Sequence, residues 1–168
     1  MRPQSDEAAP YYFAYIDRIQ QDDVVRVLEA QNDETVSFLA GISEEKSLYR
    51  YAPGKWSIRE LLSHINDTER LFIFRAMWFA RGFEEPLPSF DQNVCVENSG
   101  ADKISWANHV AEFQTIRSAT VTFFQNLSDE AWGRAGIASD NKFTVRALAY
   151  IAAGHVDSHC AVIRERYL

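Results

Sequence analysis

The segment SIRELLSHINDTERLFIFRAMWFARG, residues 57–82, carries the clearest helix signals in the chain. Ser57 and Glu60 have the S-x-x-E spacing of a capping box, in which each side chain binds the backbone N–H of the other residue. Gly82 suits the left-handed conformation that ends many helices. Between these signals, apolar residues recur at helical spacing, and His64 lies among them. The segment therefore predicts one long helix with an apolar face turned toward a core.

Three further segments show the same periodicity. They run from about Asp22 to Ile42, from about Ile104 to Leu127, and from the candidate N-cap Thr144 to the C-terminus. No segment alternates polar and apolar residues with the period of a strand. The chain is therefore predicted to be all-α, and four helices of about 20 residues each favour a four-helix bundle.

The connection between the second and third predicted helices is unusually long. It spans about 20 residues, from Gly82 to about Lys103, and contains Pro86 and Pro88. Antiparallel neighbours in a bundle are usually joined by short loops, whereas a connection of this length can run along the bundle. We therefore predict a long crossover between helices 2 and 3 that leaves these two helices parallel.

Length and composition favour one intracellular domain over residues 1–168, with residues 1–10 expected to be flexible. The net charge of -7 and the absence of Lys or Arg runs argue against a nucleic-acid partner. Cys95 and Cys160 form neither a disulfide framework nor a CxxC zinc motif, which suits a reducing cytoplasm. No signal peptide or membrane span is expected, because no window approaches ~18 consecutive apolar residues.

The histidines are the first candidates for chemistry. His155 and His159 stand four residues apart, so both imidazoles share one helix face. Alone, this spacing is also typical of two polar residues hydrogen-bonded to backbone or water. His64 adds a third imidazole on another apolar face, and burying each unpaired would cost roughly 1–3 kcal/mol. If the three meet, a shared divalent ion satisfies them, and open coordination positions are typical of a catalytic or ligand-accepting site.

Three further residues could be drawn into such a site and are considered in turn. Asp67, one turn after His64, is either an acceptor for a ligating imidazole or a solvated carboxylate. His109 is expected at the surface, because it has no partner at helical spacing. Cys160 follows His159 directly but points well away from the histidine face, so we expect a small buried apolar side chain.

Gln31, Thr35 and Arg117 are polar residues within apolar helix faces. They could line a pocket beside the metal, where Arg117 would receive an anionic ligand group. Equally, Arg117 could pair with Glu112 or with an acid of the first helix and serve only packing. The sequence leaves both interpretations open.

Three runs together resemble the DinB-like family of helical metalloproteins, which includes the YfiT-like bundles and the bacillithiol- and mycothiol-dependent transferases. They are YAPGKWSIRELLSHINDTER (51–70), VAEFQTIRSATVTFF (110–124) and RALAYIAAGHVDSHCAVIRERY (146–167). The likeness covers about residues 11–168. It implies a four-helix bundle with a long second connection, in which His64, His155 and His159 bind a divalent ion. Family members often carry a second histidine directly before the last ligand, where this chain has Ser158.

The resemblance favours a metal-dependent enzyme, above all a thiol S-transferase in which an open metal position activates a thiolate. Two alternatives stay open: a metal-containing protein that binds or senses a small ligand without catalysis, and a metal-dependent hydrolase. Histidine ligands suit zinc or nickel first, and also iron, manganese or copper. The expected partners are a small-molecule substrate or a low-molecular-weight thiol. Exposed aromatic residues such as Trp78, together with the resemblance, favour a homodimer.

Overall fold

The computed structural model describes residues 1–168, and four long helices dominate it. Its helices are α1 (Phe13–Ile16), α2 (Val24–Ala40), α3 (Ile58–Ala80), α4 (Gln92–Ser99), α5 (Trp106–Gln125), α6 (Asp129–Trp132) and α7 (Val145–Val162). A π-helical turn, Ile163–Tyr167, continues α7, and short 3-10 turns cover Pro10–Tyr12, Lys46–Leu48 and Ala101–Lys103. The four predicted helices are confirmed as α2, α3, α5 and α7. No helix combines the length and apolar character needed to cross a membrane.

Helix α3 begins and ends where its sequence predicts. The Ser57 hydroxyl accepts a hydrogen bond from the Glu60 backbone N–H at 3.0 Å. In return, the Glu60 carboxylate accepts one from the Ser57 N–H at 2.8 Å. After the helix, Gly82 adopts a φ of 80°, which a residue with a side chain rarely tolerates. The capping box therefore fixes the start of the helix that carries His64.

The four long helices form a ring in which α3 packs on α5 and α7, while α2 packs on the same two helices. Hydrogen bonds show the direction of α3 and α5: Asn66 reaches Glu112, and farther along both helices Glu69 reaches Arg117. Because the partners advance together, α3 and α5 are parallel, as the long crossover predicts. Helices α3 and α7 run antiparallel, because Tyr167, just beyond the end of α7, donates to the carbonyl of Trp56, just before α3 begins.

A two-stranded hairpin is the main departure from the predicted all-α chain. Strand β1 (Ala135–Ala138) pairs antiparallel with β2 (Asn141–Thr144) through a turn at Ser139 and Asp140, both of which have positive φ. The sequence analysis missed it because strands of 4 residues are too short to show an alternating pattern. The hairpin lies against the C-terminal half of α3, where Gly136 leaves room for the ring of Phe79.

Residues 1–10, which the sequence analysis expects to be flexible, contact the bundle at several points. Arg146 donates to the Glu7 carboxylate at 2.7 Å, and the Thr144 hydroxyl does so at the same distance. Ala8 forms an isolated β-bridge with Phe143. These contacts hold the segment that leads into α1 and thereby fix the tyrosines near the histidines.

Gly154 allows α1 to approach α7 closely. A Cβ atom added at Gly154 would lie 2.0 Å from the carbonyl oxygen of Tyr15, and backbone cannot move aside as a flexible side chain can. We expect Gly154→Ala to lower the free energy of unfolding by about 1–3 kcal/mol or more. Urea unfolding measures the loss. Gly133→Ala is the matched control, because its nearest atom would lie at 3.9 Å, and equal stability of both variants would contradict this close approach.

Candidate metal centre

Three imidazoles meet in the middle of the bundle, one from α3 and two from α7. The Nε2 atom of His155 lies 3.2 Å from that of His64 and 3.0 Å from that of His159. All three possible ligand atoms lie within 4.8 Å of one another. The spacing of His155 and His159 predicts their shared face, whereas no pattern within one helix predicts the adjacency of α3 and α7, which the family resemblance implies and the fold shows.

The three histidines are uncharged at neutral pH. Burial and the nearby His159 lower the pKa of His64 to about 3, and burial lowers the pKa of His159 to about 4. Burial, together with the neighbouring imidazoles and Arg117, holds the pKa of His155 well below its usual value. A neutral imidazole has one nitrogen lone pair free to bind a metal ion.

Thr68 determines which nitrogen of His64 carries the proton. Its hydroxyl donates to the backbone carbonyl of His64 at 2.6 Å, one turn earlier. Because that hydroxyl has only one hydrogen, its contact of 3.2 Å with His64 Nδ1 requires the imidazole to donate. The proton therefore sits on Nδ1, and Nε2 presents its lone pair to the other two histidines.

The geometry and chemistry of this donor set fit one divalent ion. Two nitrogens bound tetrahedrally at about 2.05 Å from a zinc ion lie about 3.3 Å apart, close to the observed separations. Without an ion, the Nε2 atom of His155 has at most one proton and cannot donate to both neighbours at once. A shared cation would satisfy all three lone pairs together.

Aromatic rings surround the three histidines. The ring centroid of Trp56 lies 5.1 Å from that of His64, and Tyr15 and Phe72 lie 5.4 Å and 5.7 Å from His155. These rings limit the access of water and hold the imidazoles in place by packing.

Thr68→Val is expected to weaken metal binding about 10- to 100-fold, because it keeps the side-chain volume but removes the acceptor that fixes the His64 tautomer. Competitive titration of metal-free protein with a chromophoric chelator measures the affinity. Thr68→Ser retains the hydroxyl and serves as the control. Equal affinity of the Val variant and the wild type would contradict this role of Thr68.

Asp67 does not reach His64, and this corrects its suggested role as the acceptor. It pairs instead with Arg70, with 3.4 Å between the charged atoms. Thr68 takes the acceptor's place because position i+4 lies closer to the same helix face than position i+3 does.

Arg117 is fully buried and makes a bidentate ion pair with Glu69 through hydrogen bonds of 2.8 Å and 2.7 Å. Its third nitrogen donates to Gln31 at 2.8 Å, and Gln31 donates in turn to the carbonyl of Ala153 on α7. The packing interpretation is thus the better one, although neither expected partner is used. Glu112 pairs with Arg70 instead.

The structure contradicts the prediction for His109 and agrees with the one for Cys160. His109 is 1% exposed, because the turn at Ala101–Lys103 in the crossover covers it, and its Nε2 lies 2.9 Å from the carbonyl oxygen of Ala101. The expected surface position is therefore wrong. Cys160 is buried as expected, and burial raises its pKa to about 11.

A cavity of about 140 Å³ opens beside His64 and His155. None of its lining residues is acidic, and the suggested pocket residues Gln31, Thr35, Arg117 and Asp67 are not among them. A larger cavity of about 410 Å³ near Met1 and Tyr150 contains none of the three histidines. The smaller cavity is lined by Tyr11, Tyr12, Tyr15, His64, Thr68, Leu71, Phe72, Arg75, Phe90, Gln92, Ser139 and His155.

Most of this lining escaped the sequence analysis. The tyrosines come from the N-terminal segment, and Phe90 and Gln92 come from the crossover. Such residues follow no helical period with the histidines, so only the tertiary fold brings them to the site. Arg75 is the one lining residue that the sequence pattern could have revealed. Its spacing places it on the same face of α3 as His64 and Thr68, and a charged residue is unexpected there.

The chain is similar to a known protein family in sequence and to known structures in fold. The sequence model of the DinB superfamily matches residues 27–163. YfiT from Bacillus subtilis, a probable metal-dependent hydrolase with an unusual four-helix bundle topology, is similar in structure with a TM-score of 0.77 and 17% identity. That similarity covers 98% of this chain and 90% of YfiT.

A second similar structure is the mycothiol-dependent maleylpyruvate isomerase, with a TM-score of 0.71 and 10% identity. The similarity covers 87% of this chain but only 61% of the isomerase, so this chain spans less than two thirds of the length of that protein. No curated protein matches in sequence. At these identities, the two structures show the shared fold.

Proposed function

The chain belongs to the DinB superfamily, as its sequence resemblance predicts, and from this premise we propose that His64, His155 and His159 hold one divalent ion. The convergence of three neutral Nε2 atoms carries the proposal. Three protein ligands leave coordination positions open, which suits a site that acts on a ligand. We expect zinc or nickel, with iron, manganese and copper as the alternatives that metal analysis would distinguish.

We further propose that the protein is a metal-dependent enzyme, and that its reaction is the transfer of a low-molecular-weight thiol to an electrophile. A divalent ion in this site would supply a Lewis acid that favours thiolate over thiol at neutral pH. In the reaction the thiol gives its proton to solvent, its sulfur bonds to an electrophilic carbon, and the leaving group departs with the bonding electrons.

The residues of the chain support this reaction in two ways. The aromatic rings of Tyr15, Trp56 and Phe72 shield the histidines from bulk water, which protects a reactive nucleophile. No Asp or Glu lines the cavity, so the chain offers no carboxylate base there. A thiol needs such a base less than water does, because its pKa is far lower. The thiol dependence of the structurally similar isomerase agrees with this choice.

Thiol consumption by the metal-loaded protein tests the proposed reaction. Glutathione, cysteine and other small thiols are each incubated with 1-chloro-2,4-dinitrobenzene, and the thioether product is identified by mass spectrometry. We expect product formation that stops on metal removal and returns on reloading. Metal-loaded protein without turnover across a broad thiol panel would overturn the transferase assignment and leave the metal assignment intact.

A metal-dependent hydrolase is the second candidate, because YfiT is described as one and shares the fold over nearly its whole length. Hydrolysis of ester and amide substrates without any thiol, by the same metal-loaded protein, would favour it. A binding or sensing protein is the third candidate. It predicts a stoichiometric metal and a bound small molecule, with no product in either assay.

We also propose a homodimer formed through the aromatic residues Phe74, Trp78 and Phe83, in the C-terminal half of α3 and the turn that follows it. Trp78 stacks on Phe83 with 4.1 Å between the ring centroids, and Phe74 lies beside it at 5.8 Å. Phe74 and Phe83 are each close to half exposed. Neighbouring exposed aromatic rings of this kind can form a protein–protein contact. Light scattering at several concentrations gives the molecular mass, and a monomer throughout would exclude the dimer.

A further inference from the structure

Arg75 is the one buried cation without an acidic partner. Three arginines are buried in the structure, namely Arg59, Arg75 and Arg117. Arg59 pairs with Glu44, and Arg117 pairs with Glu69. Arg75 is only 2% exposed, yet no carboxylate pairs with it: it donates to the carbonyl of Pro88 and the hydroxyl of Ser139, and the phenol of Tyr12 lies beside it. A buried charge with no counter-charge is costly, so this position calls for a physical explanation.

The guanidinium of Arg75 is held in place but keeps free donor capacity. Its Nη2 atom donates to Pro88 at 3.2 Å and to Ser139 at 2.8 Å, which ties the side chain to the crossover and to the hairpin turn. Its Nε atom is buried and has no hydrogen-bond partner. Burial lowers the pKa of Arg75, and Tyr12 is the ionisable neighbour that counteracts this effect. The side chain is thus a fixed cation with an unused donor.

Arg75 lines the same cavity as the histidines. On α3, His64, Thr68 and Arg75 share one helix face, with Arg75 about three turns, or ~16 Å, after His64. Side chains on a helix lean toward its N-terminus, so the guanidinium reaches back toward His64 and shortens this span. The cavity between them has aromatic walls that include Tyr12 and Phe90. One small molecule could therefore contact Arg75 at one end and the histidines at the other.

We propose that Arg75 binds the carboxylate of a small organic acid whose opposite end reaches the histidine cluster. This inference rests on the proposed function, because it names the substrate class of that same site. The cavity contains one guanidinium and no second Arg or Lys, which matches a single negative charge better than a phosphate dianion. The charged guanidinium also donates stronger, charge-assisted hydrogen bonds to a carboxylate than to a neutral acceptor. The volume of about 140 Å³ limits the acid, or the part of it enclosed, to a few small groups.

Calorimetric titration with benzoate and its neutral isostere benzamide tests the proposal. We expect the wild type to bind benzoate at least ~10-fold more tightly than benzamide, because only the acid makes a charge-assisted pair with Arg75. Arg75→Met should reduce this preference to less than ~2-fold, and Arg75→Lys should retain part of it. Arg70→Met is the matched control: it removes an exposed arginine from the same helix, outside the cavity, and should leave the preference unchanged.

The same titrations distinguish this inference from the proposed function. Metal-free wild type should still prefer benzoate, since the preference comes from Arg75, so the test remains valid even if the protein binds no metal. Equal binding of acid and amide by the wild type, or an undiminished preference in Arg75→Met, would overturn the inference. Tighter binding of inorganic phosphate than of benzoate would overturn the assignment to carboxylate. If Arg75→Met does not fold, the benzoate preference of Arg75→Lys is compared with that of the wild type, and an unchanged preference would overturn the inference.

Discussion

His155→Ala is expected to lose its divalent ion, with the metal content falling from about one per chain to below about 0.1. His155 lies between the other two proposed ligands, and its Nε2 atom is within 3.2 Å of both of their Nε2 atoms. Removing it leaves two imidazoles from different helices and opens the centre of the site to water. Two ligands hold a divalent ion far more weakly than three.

Inductively coupled plasma mass spectrometry on purified protein gives the metal content directly. His109→Gln is the matched control, because His109 is equally buried but lies outside the cluster and should keep the metal. Far-ultraviolet circular dichroism shows whether each variant remains helical. The metal content of His64→Ala and of His159→Ala should also fall. A folded His155→Ala protein with a full complement of metal would disprove the three-histidine site.

The sequence predicts the histidines of the candidate site better than it predicts their surroundings. Helical spacing places His155 and His159 on one face, and the apolar face around His64 singles out the third. Their meeting depends on α3 being a neighbour of α7, and periodicity within a helix carries no information about which helices touch. The family resemblance supplied that adjacency, and the structure confirms the contact.

The errors of the sequence analysis have a common physical cause. His109 was judged by its own helix, and Arg117 was paired with Glu112 or an acid of the first helix, whereas the actual contacts come from other elements: the crossover turn at Ala101 for His109 and Glu69 on α3 for Arg117. The hairpin was missed because the strands are short and tertiary contacts with α3 stabilise them. In each case the deciding contact is distant in sequence, so no local pattern could reveal it.

Arg117→Met is expected to lower the free energy of unfolding by about 3–5 kcal/mol, because it leaves the Glu69 carboxylate buried without its partner. Both side chains are almost completely buried, with 0% and 2% exposed. Equilibrium unfolding in urea measures the change. Arg70→Met removes an arginine from an exposed pair with Glu112, and this control should cost no more than about 1 kcal/mol.

Adding Glu69→Leu to Arg117→Met separates the cost of the orphaned carboxylate from the worth of the pair itself. The double variant should recover most of the lost stability, because well-packed apolar residues often replace a buried ion pair without loss. Gln31 would still hold Ala153 next to Gly154 and His155, so the double variant should also bind metal. A stable double variant that binds no metal would mean that the ion pair positions α7 for the site. A double variant as unstable as Arg117→Met would mean instead that the guanidinium packs the core as much as it neutralises Glu69.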